Sequence, residues 1–199
     1  MLSGTFNPPT LAHTELAALA RRQFDLHEVV FVLPLRSPHK ACLEASWEDR
    51  AEMLRLAVED QPMFAAALTT AGLFLDIHRV IARFYPASTR MFFLTGRDAA
   101  ERILLEWPYP DPERALAEMF ARFELIVADR LTAFEVPANS LAARYRNRLH
   151  RLRLPPELGH LSADKVRRRL ARKEPIQDLV DPRVRAYIEA HGLYSPELD

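Results

Sequence analysis

The sequence contains a single cysteine, Cys42, which rules out an internal disulfide framework. With no Cys/His cluster around it, there is no zinc signature either, and a reducing cytoplasm is the expected compartment. No apolar run approaches the roughly 20 residues that a membrane-spanning helix needs, and the N-terminus lacks the apolar stretch of a secretory signal. Net charge is missing as well: 27 Lys and Arg cancel 27 Asp and Glu, so no global field draws the chain to nucleic acid or to a membrane. The cancellation is uneven, because residues 144–185 hold 13 Lys and Arg against 5 Asp and Glu. That basic stretch suits a polyanion, and a pair of solvated helix faces accounts for it equally well. Nucleic-acid binding is the weakest of the readings considered below.

What remains is an ordinary globular composition, 49% hydrophobic and 27% charged over 199 residues, enough for one core with a small appendage. Residues 28–33 form a β-branched and aromatic run stopped by Pro34, which reads as a buried parallel strand. Similar runs occur at 90–94, 123–128 and 149–154. Helical spacing fills 11 to about 23, a stretch starting at Ser46 with Trp47, Ala51, Leu54 and Val58 on one face, 76–84 and 113–122. Ser162 can cap a helix through about Lys173, and Asp181-Pro182 opens a last helix that Gly192 stops, with Val184, Tyr187, Ile188 and His191 facing inward. Strands alternating with helices imply an α/β fold of the Rossmann-like kind, a parallel sheet with helices on both faces. The expected organisation is one domain overall: a nucleotide-binding core over 1–160 and a helical tail over 161–199 packed on it. Its first strand is truncated, since only Met1-Leu2-Ser3 precede Gly4. Neighbouring strands would then carry unpaired edges, and the natural chain is expected to start upstream of Met1.

In such sheets a ligand binds beyond the carboxyl ends of the strands, where backbone N–H groups and a helix N-terminus face an anion. Gly4 to His13 has that form. Gly4 permits close backbone approach, Pro8-Pro9 stiffens the turn, and Thr10 can cap a helix that presents His13. On residue chemistry alone Thr10 also fits an ordinary N-cap, and His13 an ordinary first-turn residue.

Ser-Gly-Thr-Phe-Asn-Pro-Pro-Thr-Leu-Ala-His, residues 3–13, resembles the Gly-Gly-Thr-Phe-Asp-Pro-x-His-x-Gly-His signature of the nucleotidyltransferase superfamily. Further motifs follow in order. Ser37-Pro38-His39-Lys40 is similar to the Pro-Pro-His-Lys loop of bacterial nicotinate-nucleotide adenylyltransferases, and Arg50 with Met53 fits the helix after it. Gly96-Arg97-Asp98 with Trp107, and Val127-Ala128-Asp129-Arg130, match two more. Leu161 to Arg167 takes the place of Ile-Ser-Ser-Thr-x-Ile-Arg, and Val184 to Tyr194 resembles the closing Val-x-x-Tyr-Ile-x-x-x-x-Leu-Tyr.

The resemblance implies adenylyl transfer from ATP to nicotinate mononucleotide, a step of NAD biosynthesis, with ATP and a pyridine mononucleotide as the partners and Mg²⁺ accompanying ATP. It implies His13, Arg167 and Thr10 as catalytic residues, and Gly4, Thr5, Phe6, Ser162, Gly96 and Asp98 as the ATP site. Lys40 would meet the mononucleotide phosphate, Trp107 would stack on the pyridine ring, and Arg130 would line the cleft. Read as residues, Lys40 also fits an exposed loop lysine, Asp98 a helix cap, Trp107 a core side chain and Arg130 a surface ion pair. No protein ligand to a metal is implied.

Departures from the pattern fall on the motifs. Thr10 stands for the first His, Ala12 for a Gly, and Ala163-Asp164 for a Ser and a Thr, which brings a carboxylate toward a triphosphate. The family's Tyr-Thr-x-x-Thr-Leu segment, which holds the nicotinate carboxylate, aligns with Leu73 to His78, where both hydroxyls are lost. Two alternatives follow: nucleotidyl transfer to a different acceptor, or nucleotide binding with impaired catalysis.

Overall fold

Six strands pair in parallel: β1 (Leu2–Ser3), β2 (Val29–Pro34), β3 (Phe64–Thr69), β4 (Phe92–Gly96), β5 (Glu124–Asp129) and β6 (Leu149–Arg153). The computed structural model describes residues 1–35, 44–106, 109–129 and 134–195. β2 and β5 are buried along their whole length, as strands covered on both faces must be, and both read as continuous apolar runs. The spatial order is β3-β2-β1-β4-β5-β6, the doubly wound order. Strand numbering reverses between β1 and β4, so the segments leaving those two strands flank a crevice at the carboxyl edge.

One face of the sheet is covered by α1 (Leu11–Phe24), α2 (Trp47–Val58), α6 (Ala163–Ala171) and α7 (Pro182–His191), whose inward residues share one cluster with Phe31, Leu33 and Ile126. The other is covered by α3 (Phe74–Ile81), α4 (Arg97–Leu105) and α5 (Pro112–Arg122), packed around Val32, Phe93 and Leu125. Val166, Val184 and Ile188 are buried in the first cluster, which fastens the C-terminal helices to the sheet.

Several local expectations change. β3, Phe-Ala-Ala-Ala-Leu-Thr, is absent from the sequence reading because three alanines carry no β preference; it forms an edge strand in register with all six residues of β2. α3 starts at Phe74 rather than Asp76 and ends in a 3-10 turn over Ala82–Phe84. Trp47 is 44% exposed, and α2 faces inward through Met53, Leu54, Ala57 and Val58. His191 lies at the surface and stacks on Tyr187. The capping expectations hold: Ser46 accepts from Asp49 N, Ser162 from Lys165 N and Asp181 from Arg183 N, while Gly192 closes α7 at φ 60°.

β1 spans two residues, yet its neighbours are bonded to the segment around it. The Met1 amine donates to Phe92 O at 2.7 Å, Leu94 N donates to Met1 O at 2.8 Å, and Gly4 N donates to Val32 O at 3.1 Å.

A buried histidine interrupts the apolar face of α3. His78 sits against the Phe123 ring, its Nδ1 has no hydrogen-bond partner among the described residues, and burial, reinforced by the Arg122 charge, lowers its pKa. Below the ordinary histidine value of about 6.5 the unfolded chain therefore binds a proton that the folded chain resists, so stability falls as pH falls through that window. His78→Leu should flatten this dependence. Melting temperatures of both proteins between about pH 7.5 and 5.5 check it, and equal slopes would remove His78 as the cause.

Candidate active site

The turn from Gly4 to Thr10 leaves β1 at the carboxyl edge of the sheet and enters α1. Its conformation is set first by Phe6, which takes a left-handed φ of 43° and is 1% exposed. The ring folds back over Gly4, where a Cβ would lie 3.3 Å from it, and packs edge-on to His13 at 5.2 Å. Gly4 thus makes room for the chain's own phenyl ring. Phe6 belongs to the core, and only its backbone faces the turn's surroundings.

The carbonyls of the turn are taken by two arginines from distant elements. Arg50 on α2 donates from Nη1 to Thr5 O at 3.0 Å, and Arg167 on α6 donates from Nη1 to Asn7 O at 2.7 Å. The Asn7 side chain, 1% exposed, donates to Glu44 Oε2 at 2.8 Å and accepts from the Tyr194 hydroxyl at 2.8 Å. Glu44 also pairs with Arg167 Nε at 3.1 Å, which closes a ring through Asn7. Burial pushes the Tyr194 phenol well above the ordinary tyrosine range, so it remains a donor. The backbone N–H groups of Thr5, Phe6 and Asn7 have no acceptor among the described residues. Three consecutive amides with no acceptor among the described residues form a row of donors, the arrangement that backbone anion sites use.

Thr10 is the N-cap of α1, and its hydroxyl turns to the imidazole of His13. Thr10 N donates to His13 Nδ1 at 3.0 Å, and the Thr10 hydroxyl lies 2.8 Å from the same nitrogen. Because Nδ1 accepts, the neutral ring carries its proton on Nε2, where it can donate. Leu11 N, the first amide of the helix, donates to Leu179 O.

α6 brings Ser162 as its cap, along with Asp164 and Arg167. The Asp164 carboxylate pairs with Arg168 Nη2 at 2.9 Å and lies 3.6 Å from Arg167 Nη2, so its charge is met by cations on its own helix. Across the crevice, Gly96 ends β4 and caps α4, with no atom of the described residues within 4 Å of where a Cβ would stand. Asp98 is exposed in the first turn of that helix.

The structure therefore gathers Thr5, Phe6, Thr10, His13, Ser162 and Arg167 on the turn and the helix facing it, with Gly96 and Asp98 beyond the neighbouring strand. Lys40, Trp107 and Arg130 lie outside the described residues. Four residues at or beside the site had no assigned role in the sequence reading: Glu44, Arg50, Tyr109 and Tyr194. Tyr109 places its hydroxyl 3.3 Å from Leu75 N, in the first turn of α3, where it accepts. Phe74, aligned with one lost hydroxyl, stacks flat on Phe93 at 4.3 Å in the core, and Ile77, aligned with the other, is fully buried. Arg50 and Tyr194 could have been singled out as polar residues inside matched motifs; Glu44 and Tyr109 carry no such signal.

Comparison with known proteins agrees with this geometry. The model of the family described as cytidylyltransferase-like matches residues 1–169. A protein of Bordetella parapertussis named "Probable nicotinate-nucleotide adenylyltransferase" is 32% identical over 200 residues, covering 98% of this chain and 96% of that one. Proteins of the same name from Thermus thermophilus, 32% identical over 98% of this chain and 97% of the relative, and Moorella thermoacetica, 29% identical over 100% and 92%, match as fully. Among solved structures, nicotinic acid mononucleotide adenylyltransferase of Plasmodium falciparum, complexed with NaAD, superposes with a TM-score of 0.72 over 97% of this chain and 95% of its own, at 17% identity, which is a likeness of fold. A doubly wound sheet, an amide-lined turn at its switch point and full-length relatives at 32% identity place the chain in the cytidylyltransferase-like family, as a nucleotidyltransferase of the nicotinate-nucleotide adenylyltransferase group.

Proposed function

We propose that this protein transfers the adenylyl group of ATP to nicotinate mononucleotide, releasing pyrophosphate and forming nicotinate adenine dinucleotide. The observation that carries the reading is the turn over residues 4–10: three consecutive amides without an acceptor among the described residues, bordered by His13 and Arg167, at the switch point of the sheet. The relatives named above supply the acceptor class.

In the reaction an oxygen of the mononucleotide 5′-phosphate attacks the α-phosphorus of ATP. A new P–O bond forms as the bond to the β-phosphate oxygen breaks, and pyrophosphate leaves with that electron pair. No proton need be abstracted from a phosphate that is already ionised, so the protein contributes placement and charge stabilisation. The free amides of the turn bind the phosphate oxygens. His13, held as the Nε2–H tautomer by Thr10, donates one more hydrogen bond, and Arg167, whose Nη2 lies 3.6 Å from the Asp164 carboxylate, supplies positive charge toward the leaving group. Ser162 retains its hydroxyl proton while capping α6. Gly96, with no atom of the described residues within 4 Å of where a Cβ would stand, admits the adenosine against β4, and Asp98 accepts from the ribose hydroxyls.

Among the described residues no three His, Cys, Asp or Glu side chains converge as a metal site. A divalent cation, Mg²⁺, fits here as a companion of the ATP phosphates, held by their oxygens and water, where it neutralises charge.

A second reading keeps the transfer and changes the acceptor. It is favoured by Phe74 and Ile77, core residues at the positions aligned with the nicotinate-binding hydroxyls. A site that lacks those donors should discriminate poorly for a carboxylate. Pyrophosphate release measured with ATP and a panel of acceptors separates the two: turnover with nicotinate mononucleotide above all others supports the first, and turnover with ATP and any other acceptor alone supports the second.

Two substitutions test the phosphate side. His13→Ala should lower turnover about a hundredfold, the scale for losing one transition-state donor, and unchanged turnover would take His13 out of the mechanism. Asp164→Thr removes a carboxylate near Arg167 and should lower KM for ATP by about two- to fivefold, the range of a partly screened ion pair. A higher KM in that variant would mean that Asp164 supports the site instead of opposing it.

A further inference from the structure

Three fully charged side chains are buried among the described residues: Glu124, Asp129 and Arg50. A buried ion ordinarily finds an opposite charge, because an unpaired one in a low-dielectric interior loses its hydration without compensation. Glu124 is met by Arg90, Arg148 and His150, and Asp129 by Arg151. Arg50 differs. Its guanidinium lies against carbonyl oxygens, Thr5 O at 3.0 Å and Ser46 O at 3.3 Å, and no carboxylate among the described residues comes within ion-pair distance.

The carbonyl that Arg50 holds belongs to the peptide joining Thr5 to Phe6. The N–H at the other end of that peptide is one of the three without an acceptor. A cation bonded to a carbonyl draws electron density through the amide and makes its N–H a stronger donor. The charge of Arg50 is thus expressed at the Phe6 amide.

We propose that the missing counter-charge of Arg50 is the polyphosphate of the bound nucleotide, reached through the Thr5–Phe6 peptide, and that Arg50 is a positioning residue of the transfer site. The inference rests on the nucleotide-binding reading above. Burial lowers the pKa of the Arg50 guanidinium, the direction expected for a cation short of compensation. The titratable groups that act on it are the Tyr194 phenol, kept protonated by burial, and the carboxylate of the exposed Glu48.

Calorimetric binding of inorganic pyrophosphate with Mg²⁺, together with ATP as a reference ligand, tests this. Arg50→Gln should bind pyrophosphate at least about tenfold more weakly than the wild type at neutral pH, the scale of one hydrogen bond to a charged group. Arg50→Lys keeps the charge but in a group that burial can deprotonate, whereas a guanidinium stays charged. The ratio of its pyrophosphate affinity to that of the wild type should therefore fall about tenfold between about pH 7 and pH 10. A merely structural arginine would move melting temperature without producing that pH profile. Equal binding by Arg50→Gln and wild type, or a flat ratio for Arg50→Lys, overturns the proposal; if Arg50→Gln does not fold, the lysine series decides alone. Failure of the wild type itself to bind ATP or pyrophosphate overturns the nucleotide reading as well, and is distinct from variants that bind as the wild type does.

Discussion

Two guanidinium groups hold two carbonyls of one short turn, and the arrangement around the site follows from that constraint. An irregular loop must find partners for its backbone groups. If the carbonyls of Thr5 and Asn7 were met by amides of the same segment, those amides would be consumed internally. Arg50 and Arg167 meet them instead, so the donors of the turn are left over. The Asn7 side chain is fixed in the same way, by Glu44 on one side and Tyr194 on the other. The packing of α2, α6 and α7 on one face of the sheet brings these partners to the turn, which links the hydrophobic core directly to the geometry of the site.

That dependence explains which features were legible in the sequence. β2 and β5 announce themselves as unbroken apolar runs because both faces are covered, and the helices over 47–58 and 182–191 carry their caps in their own residues. β3 carries no such mark: its alanines acquire a strand conformation from pairing with β2, a tertiary effect that no local pattern contains. Trp47 fits the helical period of α2 and still lies outside, because it stands in the first turn, beyond the reach of the sheet. In the site, Gly4 to His13 is readable because its residues are contiguous. The roles of Arg50, Glu44 and Tyr194 are not, since each meets the turn across at least 37 residues of chain. The tautomer of His13 likewise emerges only when Thr10 N is seen donating to Nδ1.

The departures from the family pattern divide by location. On the phosphate side they are absorbed locally: Thr10 supports the imidazole in place of a second histidine, and Asp164 is flanked by Arg167 and Arg168 on its own helix. At the start of α3 the change is one of construction. Phe74 and Ile77 have become part of the second core cluster, and among the described residues the only side-chain hydroxyl bonded to that helix start comes from Tyr109, beyond α4. The turn with its two arginines and the start of α3 thus lie on different faces of the sheet.

The contact between Tyr194 and Asn7 spans 187 positions, and Leu179 O caps the first amide of α1 across a similar span. Synthesis runs from the turn toward these partners, so the first functional segment to leave the ribosome is among the last to be completed. Arg167, Leu179 and Tyr194, which shape the turn, all lie C-terminal to the last strand of the sheet. A chain cut short before residue 194 would lack the hydroxyl that holds the Asn7 side chain, and one cut before residue 167 would also lack the guanidinium that holds the Asn7 carbonyl.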